Sequence, residues 1–116
     1  MTADQLEKVR EIAQFYGYES QTRQLTEEIG ELLQAMNKFW RKDLRCGKSP
    51  CNPLDRDALD DSEGYWNLVE ELADVEIMLE QMKYFLGIQD RYYNVDINAK
   101  LNRQLNRIKT DTINRT

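Results

Sequence analysis

Hydrophobic residues recur at intervals of three and four along most of the chain, which is the spacing of an amphipathic α-helix. Thr2 and Gln5 have the spacing of a capping box, and the pattern behind them predicts a first helix from about residue 3 to Phe15. A second helix is predicted from about Gln21 to Arg41. Its apolar stripe consists of Leu25, Ile29, Leu32, Leu33, Met36, Phe39 and Trp40, and we expect Trp40 to pack in the core.

The helical spacing disappears between Lys42 and Glu63, where glycine, proline, asparagine and aspartate predict a long loop. The spacing returns in a third helix from about Tyr65 to Leu86, which Gly87 terminates, and in a fourth from about Val95 to Ile108. Short connections elsewhere favour antiparallel packing of neighbouring helices. The sequence therefore predicts an all-α protein, a single domain of residues 1–116 with a four-helix core and an inserted loop at 42–63.

The third helix has an acidic residue in the middle of its main apolar face. That face consists of Leu72, Val75, Met78, Leu79, Met82, Phe85 and Leu86, and Glu71 projects from it. A second apolar strip, formed by Val69, Ala73, Ile77 and Tyr84, predicts that this helix is buried on two sides. A chain of 116 residues has little material to cover both sides, so we expect a homodimer or homotetramer.

Composition and charge narrow the classes of function. A formal net charge of −5 argues against a stable nucleic-acid partner. The absence of histidine excludes Ser-His-Asp and Cys-His catalysis and histidine-ligated metals. No signal peptide or membrane span is evident, so we expect a soluble cytoplasmic protein without a membrane partner, in which Cys46 and Cys51 are free thiols.

Two pairs of carboxylates are the residues best suited to bind a metal ion or to take part in catalysis. Glu28 and Glu31 lie about one turn apart on the second helix, and Glu71 and Asp74 have the same spacing on the third. If the two helices pack antiparallel, all four converge, and their mutual repulsion then requires a cation. Oxygen ligands without histidine or cysteine suit Mg²⁺, or Mn²⁺, better than zinc. A solvated acidic face is the alternative for the first pair alone.

The sequence Glu27-Glu28-x-x-Glu31, followed by Glu71-x-x-Asp74, resembles the MazG-like all-α nucleoside triphosphate pyrophosphohydrolase superfamily. The flanking residues agree, with Gln21 and Gln24 before the first motif, Leu32 and Leu33 after it, and Glu70, Leu72, Ala73 and Val75 around the second. The resemblance covers roughly residues 21–107. The 39 residues between the two motifs exceed the family's usual spacing, which indicates an insertion and leaves the substrate preference open.

The resemblance implies hydrolysis of a nucleoside triphosphate, NTP or dNTP, to the monophosphate and pyrophosphate. Its metal ligands would be Glu28, Glu31, Glu71 and Asp74, with Mg²⁺ as the cofactor and nucleotide-pool housekeeping as a role. Glu27 is a candidate for the catalytic base or for a further metal ligand.

Substrate-binding candidates lie outside the two motifs. Lys100, Arg103 and Arg107 share one face of the fourth helix and could bind the outer phosphates, although a solvated basic face is the alternative. Asn98 could add a hydrogen bond. Trp66 is a candidate for stacking on the nucleobase.

Two other functions remain open. A phosphoribosyl-ATP pyrophosphohydrolase would share the broad fold and chemistry. A non-catalytic helical interaction module would carry its acidic clusters in solvent, and Glu71 is the main evidence against it, because a carboxylate on a buried face is costly without a partner.

Overall fold

A computed structural model of the chain describes residues 1–42 and 62–115. Every regular element among them is a helix: α1 (Ala3–Tyr16), α2 (Tyr18–Lys42), α3 (Glu63–Phe85) and α4 (Asp90–Arg115). The all-α prediction is confirmed for this part of the chain. The loop expected at 42–63 falls, apart from its ends, outside the described residues. No helix in the described ranges is long and apolar enough to cross a membrane.

Local sequence explains where α1 and α2 begin. The Thr2 hydroxyl accepts a hydrogen bond from the Gln5 backbone N–H at 3.1 Å, and the Gln5 side chain accepts one from the Thr2 N–H at 2.8 Å, so the predicted capping box is present. Gly17 then separates the two helices with a φ of 85°, a conformation that strains other residues. Because this break is a single residue, α2 begins at Tyr18, three residues before the predicted start.

Helices α3 and α4 also differ from their predicted bounds. The Ser62 hydroxyl accepts a hydrogen bond from the Tyr65 N–H at 3.1 Å and caps α3, which therefore begins at Glu63. α4 extends beyond the predicted Val95–Ile108 at both ends. Its apolar spacing marks only the middle of the helix, whereas the flanking residues contain neither glycine nor proline to end it.

The chain divides into two compact units, Met1–Phe85 and Leu86–Thr116. In the first, α2 and α3 pack antiparallel, as the contacts Gln21–Gln81 near one end and Phe39–Tyr65 near the other show. α1 packs mainly on α3 and less on α2. The second unit contains α4, whose described side chains are all exposed. One core shared by all four helices stays a prediction.

The buried core of the described residues is small. Its hydrophobic members are Val9, Ala13, Ala35, Phe39 and Met78. The predicted stripe of α2 is divided, since Phe39 is buried while Ile29, Leu33, Met36 and Trp40 are exposed. The expectation that Trp40 packs in the core is wrong, because 64% of its surface is exposed. The apolar residues of α2 therefore cover more of the helix surface than α3 contacts.

A pair of glutamines lies within this core. The Gln21 side-chain amide donates a hydrogen bond to the Gln81 carbonyl oxygen at 2.8 Å, and both side chains are buried. Buried amides need partners because they have lost water. The pair therefore fixes the register of α2 against α3 near the N-terminal end of α2.

We expect Gln81→Leu to destabilise the fold by about 1–3 kcal/mol, because it leaves the buried Gln21 amide without its acceptor. Urea unfolding measures the change. The double variant Gln21→Leu/Gln81→Leu should recover much of that loss, since it removes both polar groups. Equal stability of Gln81→Leu and the parent would contradict a structural role for the hydrogen bond.

Candidate functional site

Antiparallel packing of α2 on α3 brings carboxylates from the two helices together. Glu28 lies on the part of α2 that faces α3, and Glu71 and Asp74 lie one turn apart on α3. One carboxylate oxygen from each of these three residues lies within 4.8 Å of the other two. Glu31 follows Glu28 by one turn and lies close enough to interact electrostatically with all three. The structure thus brings together the four residues predicted as metal ligands.

The hydrogen bonds at this carboxylate cluster are incomplete. The Gln24 side-chain amide donates to Glu28 Oε1 at 2.8 Å, which orients that carboxylate. The second oxygen, Glu28 Oε2, is shielded from solvent and has no hydrogen-bond partner, and the same is true of Glu71 Oε2. A buried acceptor without a partner costs free energy. The described protein atoms therefore supply no hydrogen-bond partner to either of these two oxygens.

The electrostatic environment raises the pKa of three members of the cluster. The negative charge of Glu28, followed by that of Glu71, raises the pKa of Glu31. Burial is the main cause that raises the pKa of Glu71, and the charges of Asp74 and Glu28 add to it. Burial also raises the pKa of Asp74, with a further contribution from Glu28. Burial and the neighbouring negative charges thus make ionisation of these three carboxyl groups less favourable.

Protein cations do not relieve this repulsion within the described part of the first unit. The ion pairs there are Lys8–Asp4, Arg23–Glu19 and Lys83–Glu80, none of which involves the cluster. Each joins residues three or four apart on one helix. The cluster therefore has excess negative charge and two unpaired oxygens, which is the electrostatic arrangement that favours a bound cation.

The donor atoms fit a hard divalent cation. They are all carboxylate oxygens, and the chain contains no histidine. Oxygens bound to one octahedral Mg²⁺ at about 2.1 Å lie about 3.0 Å apart when adjacent and about 4.2 Å apart when opposite, so oxygens within 4.8 Å of one another reach ligand spacing after a contraction of at most about 1.8 Å. Side-chain rotation of a glutamate covers that distance. Cys46 and Cys51, predicted to be free thiols, lie outside the described residues.

The other predicted site residues lie elsewhere on the helices. Glu27 is exposed on α2 and is not one of the three residues whose oxygens converge. Trp66 is 45% exposed near the start of α3 and contacts Tyr65 edge to face, with ring centroids 4.9 Å apart. The candidates on α4 belong to the second unit and are exposed, namely Asn98, Lys100, Arg103 and Arg107. Their roles stay predictions.

Gln24 is a site residue to which sequence reasoning gave no role. It was a flanking match to the first motif, yet its amide holds one oxygen of Glu28. The signal was its position four residues before Glu28, which places the two side chains on the same face of a helix. A glutamine at that distance from a core-facing glutamate is a natural orienting donor.

Comparison of the chain with protein-family models, with curated proteins and with solved structures gave no match in any of the three. The carboxylate cluster itself therefore carries the functional argument.

We expect metal-free protein to lose stability as pH rises from mildly acidic to neutral values, because the carboxylate cluster then becomes negatively charged. The raised pKa values mean that the folded state binds more protons than the unfolded chain, so the free energy of unfolding falls with pH. The fall begins near the ordinary values, 3.8 for Asp74 and 4.5 for Glu71, and ends above the raised ones.

Urea unfolding in a chelating buffer at several pH values tests this dependence. Glu71→Gln should flatten the fall, whereas the control Glu76→Gln, an exposed residue on the same helix, should leave it unchanged. Identical pH profiles for the two variants would show that the cluster does not control stability.

Proposed function

We propose that this protein is a Mg²⁺-dependent, MazG-like nucleoside triphosphate pyrophosphohydrolase. The observation that carries the proposal is the pair of shielded, unpartnered oxygens of Glu28 and Glu71 within a converging carboxylate cluster. An acidic face of an interaction module would keep its oxygens hydrated. The order and spacing of the two motifs, Glu27-Glu28-x-x-Glu31 and Glu71-x-x-Asp74, supply the reaction class through resemblance.

Glu28, Glu71 and Asp74 are the proposed metal ligands, and Glu31 completes the set. When bound there, Mg²⁺ neutralises phosphate oxygens and lowers the pKa of a coordinated water. The raised pKa values of Glu31, Glu71 and Asp74 support this assignment, because a cation relieves the repulsion that raises them. Gln24 holds Glu28 in position through its 2.8 Å hydrogen bond.

The remaining residues serve the substrate in this proposal. Hydrolysis breaks the anhydride bond between the α- and β-phosphates, adds the elements of water and releases a monophosphate and pyrophosphate. Glu27, exposed beside the ligands, accepts the proton of the attacking water. Trp66 offers a half-exposed ring to the nucleobase.

We expect purified protein to convert a nucleoside triphosphate to monophosphate and pyrophosphate only when Mg²⁺ is present. A panel of canonical and modified NTPs and dNTPs, together with phosphoribosyl-ATP, identifies the substrate by product chromatography. Glu71→Gln should reduce turnover at least about 100-fold, since it removes a charged ligand at the centre of the cluster.

The control Glu76→Gln carries the same change of charge on the same helix and should retain parental turnover. Folded parent protein that neither binds Mg²⁺ in calorimetry nor hydrolyses any member of the panel would favour the interaction module. Turnover restricted to phosphoribosyl-ATP would instead favour the alternative of a phosphoribosyl-ATP pyrophosphohydrolase.

We further expect Gln24→Leu to weaken Mg²⁺ binding about 10-fold, because Glu28 loses the donor that orients it. Titration calorimetry measures the affinity. Gln34→Leu, an exposed glutamine on the same helix, serves as the control and should bind Mg²⁺ as the parent does. Equal affinities for the two variants would show that the hydrogen bond from Gln24 does not contribute to the site.

A further inference from the structure

The net charge of the chain is divided unequally between its two units. Residues 86–116 contain six lysine and arginine residues and three aspartates, which gives a formal charge of +3, whereas residues 1–85 have a formal charge of −8. The overall net charge of −5, which argues against a nucleic-acid partner when the chain is taken as a whole, is the sum of an acidic unit and a basic one. Binding of a polyanion depends on local positive charge, so the second unit has to be considered by itself.

The positive charge of the second unit is concentrated on one side of α4. At about 100° per residue, Lys100, Arg103 and Arg107 lie within an arc of about 60°, and Asn106 and Thr110 widen this arc to about 120°. We name these five residues the α4 basic face. All five are exposed. From residue 97 to residue 110, no acidic or large apolar residue lies within the arc.

The three cations of the α4 basic face have no ion-pair partner among the described residues. Asp96 and Asp111 lie four residues from Lys100 and Arg107, a spacing at which ion pairs form on a helix, yet the ion pairs of the described chain all lie on α1, α2 and α3. Lys100 and Arg107 lie three and four residues from Arg103, and like charges at these spacings destabilise a helix. A bound anion would relieve that repulsion.

We infer that the α4 basic face binds the phosphate backbone of double-stranded DNA, with α4 in the major groove. The groove of B-DNA is about 12 Å wide and admits an α-helix. Lys100 and Arg107 are about 10.5 Å apart along the helix axis, so a phosphate polymer can give each cation its own partner, which one small anion cannot. Asn106 adds a side-chain amide, the group that hydrogen-bonds to the edge of adenine.

The chemistry of the α4 basic face favours duplex DNA over other polyanions. A helix that binds an anionic membrane inserts large apolar side chains, and on this part of α4 those side chains, Leu101, Leu105 and Ile108, lie outside the arc. The major groove of duplex RNA is too narrow for side chains to read. Proteins bind single strands largely by stacking bases on aromatic rings, and the face contains none.

Fluorescence anisotropy with a labelled DNA duplex of about 20 base pairs tests the inference, in a low-salt buffer that contains a chelator and no nucleotide. The triple variant Lys100→Gln/Arg103→Gln/Arg107→Gln should bind at least about 10-fold more weakly than the parent, because it removes three phosphate contacts. Glutamine is a good helix former, so α4 should persist, which circular dichroism checks.

A matched control separates the α4 basic face from the net charge of the chain. The triple variant Arg10→Gln/Arg23→Gln/Lys38→Gln removes the same charge from exposed positions of the first unit and should bind DNA as the parent does. Equal affinities of the two triple variants overturn the inference. Tighter binding of the parent to single-stranded DNA, duplex RNA or anionic vesicles than to duplex DNA also overturns it.

A salt titration of the unchanged parent covers the case in which the α4 variant fails to fold. Three phosphate contacts predict that the logarithm of the association constant falls with the logarithm of salt concentration with a slope of about −2.7. A slope near zero, or no binding at about 50 mM salt, overturns the inference. These measurements use neither Mg²⁺ nor a nucleotide, so they are independent of the proposed hydrolysis.

Discussion

The antiparallel contact between α2 and α3 is the constraint on which the rest of the first unit depends. It places Gln21 against Gln81 near one end and Phe39 near Tyr65 at the other. Between those ends, the same register sets Glu28 beside Glu71. A shift of one residue would turn these side chains about 100° and separate them. The packing that forms the small core therefore also assembles the carboxylate cluster.

Packing and electrostatics oppose each other in this contact. Apolar residues such as Met78 and Phe39 favour close approach of the helices, whereas that approach forces Glu28, Glu71 and Asp74 together. The raised pKa values of Glu71 and Asp74 reflect that conflict. Sites where a fold accepts an unfavourable local arrangement are often functional, because binding removes the conflict.

The sequence predicted much of this arrangement. Helical spacing located the helices, and Glu71 stood out because it interrupts an apolar face. Other features could not be read from spacing. Trp40 belongs to a continuous apolar stripe, and the spacing of residues does not show which part of that stripe contacts α3. The 2.8 Å hydrogen bond from Gln24 to Glu28 likewise depends on side-chain rotamers that a residue pattern does not encode. The extent of α4 was underestimated because polar residues can continue a helix without an apolar stripe.

The position of the cluster has a consequence for chain entropy. Glu28 and Glu71 are distant in sequence, so a cation bound between them would act as a crosslink that closes the intervening segment into a loop. Each doubling of such a loop costs only about 0.6 kcal/mol of closure entropy. The segment between α2 and α3 can thus change greatly in length at little thermodynamic cost, while the helix pair that holds the carboxylates stays the same.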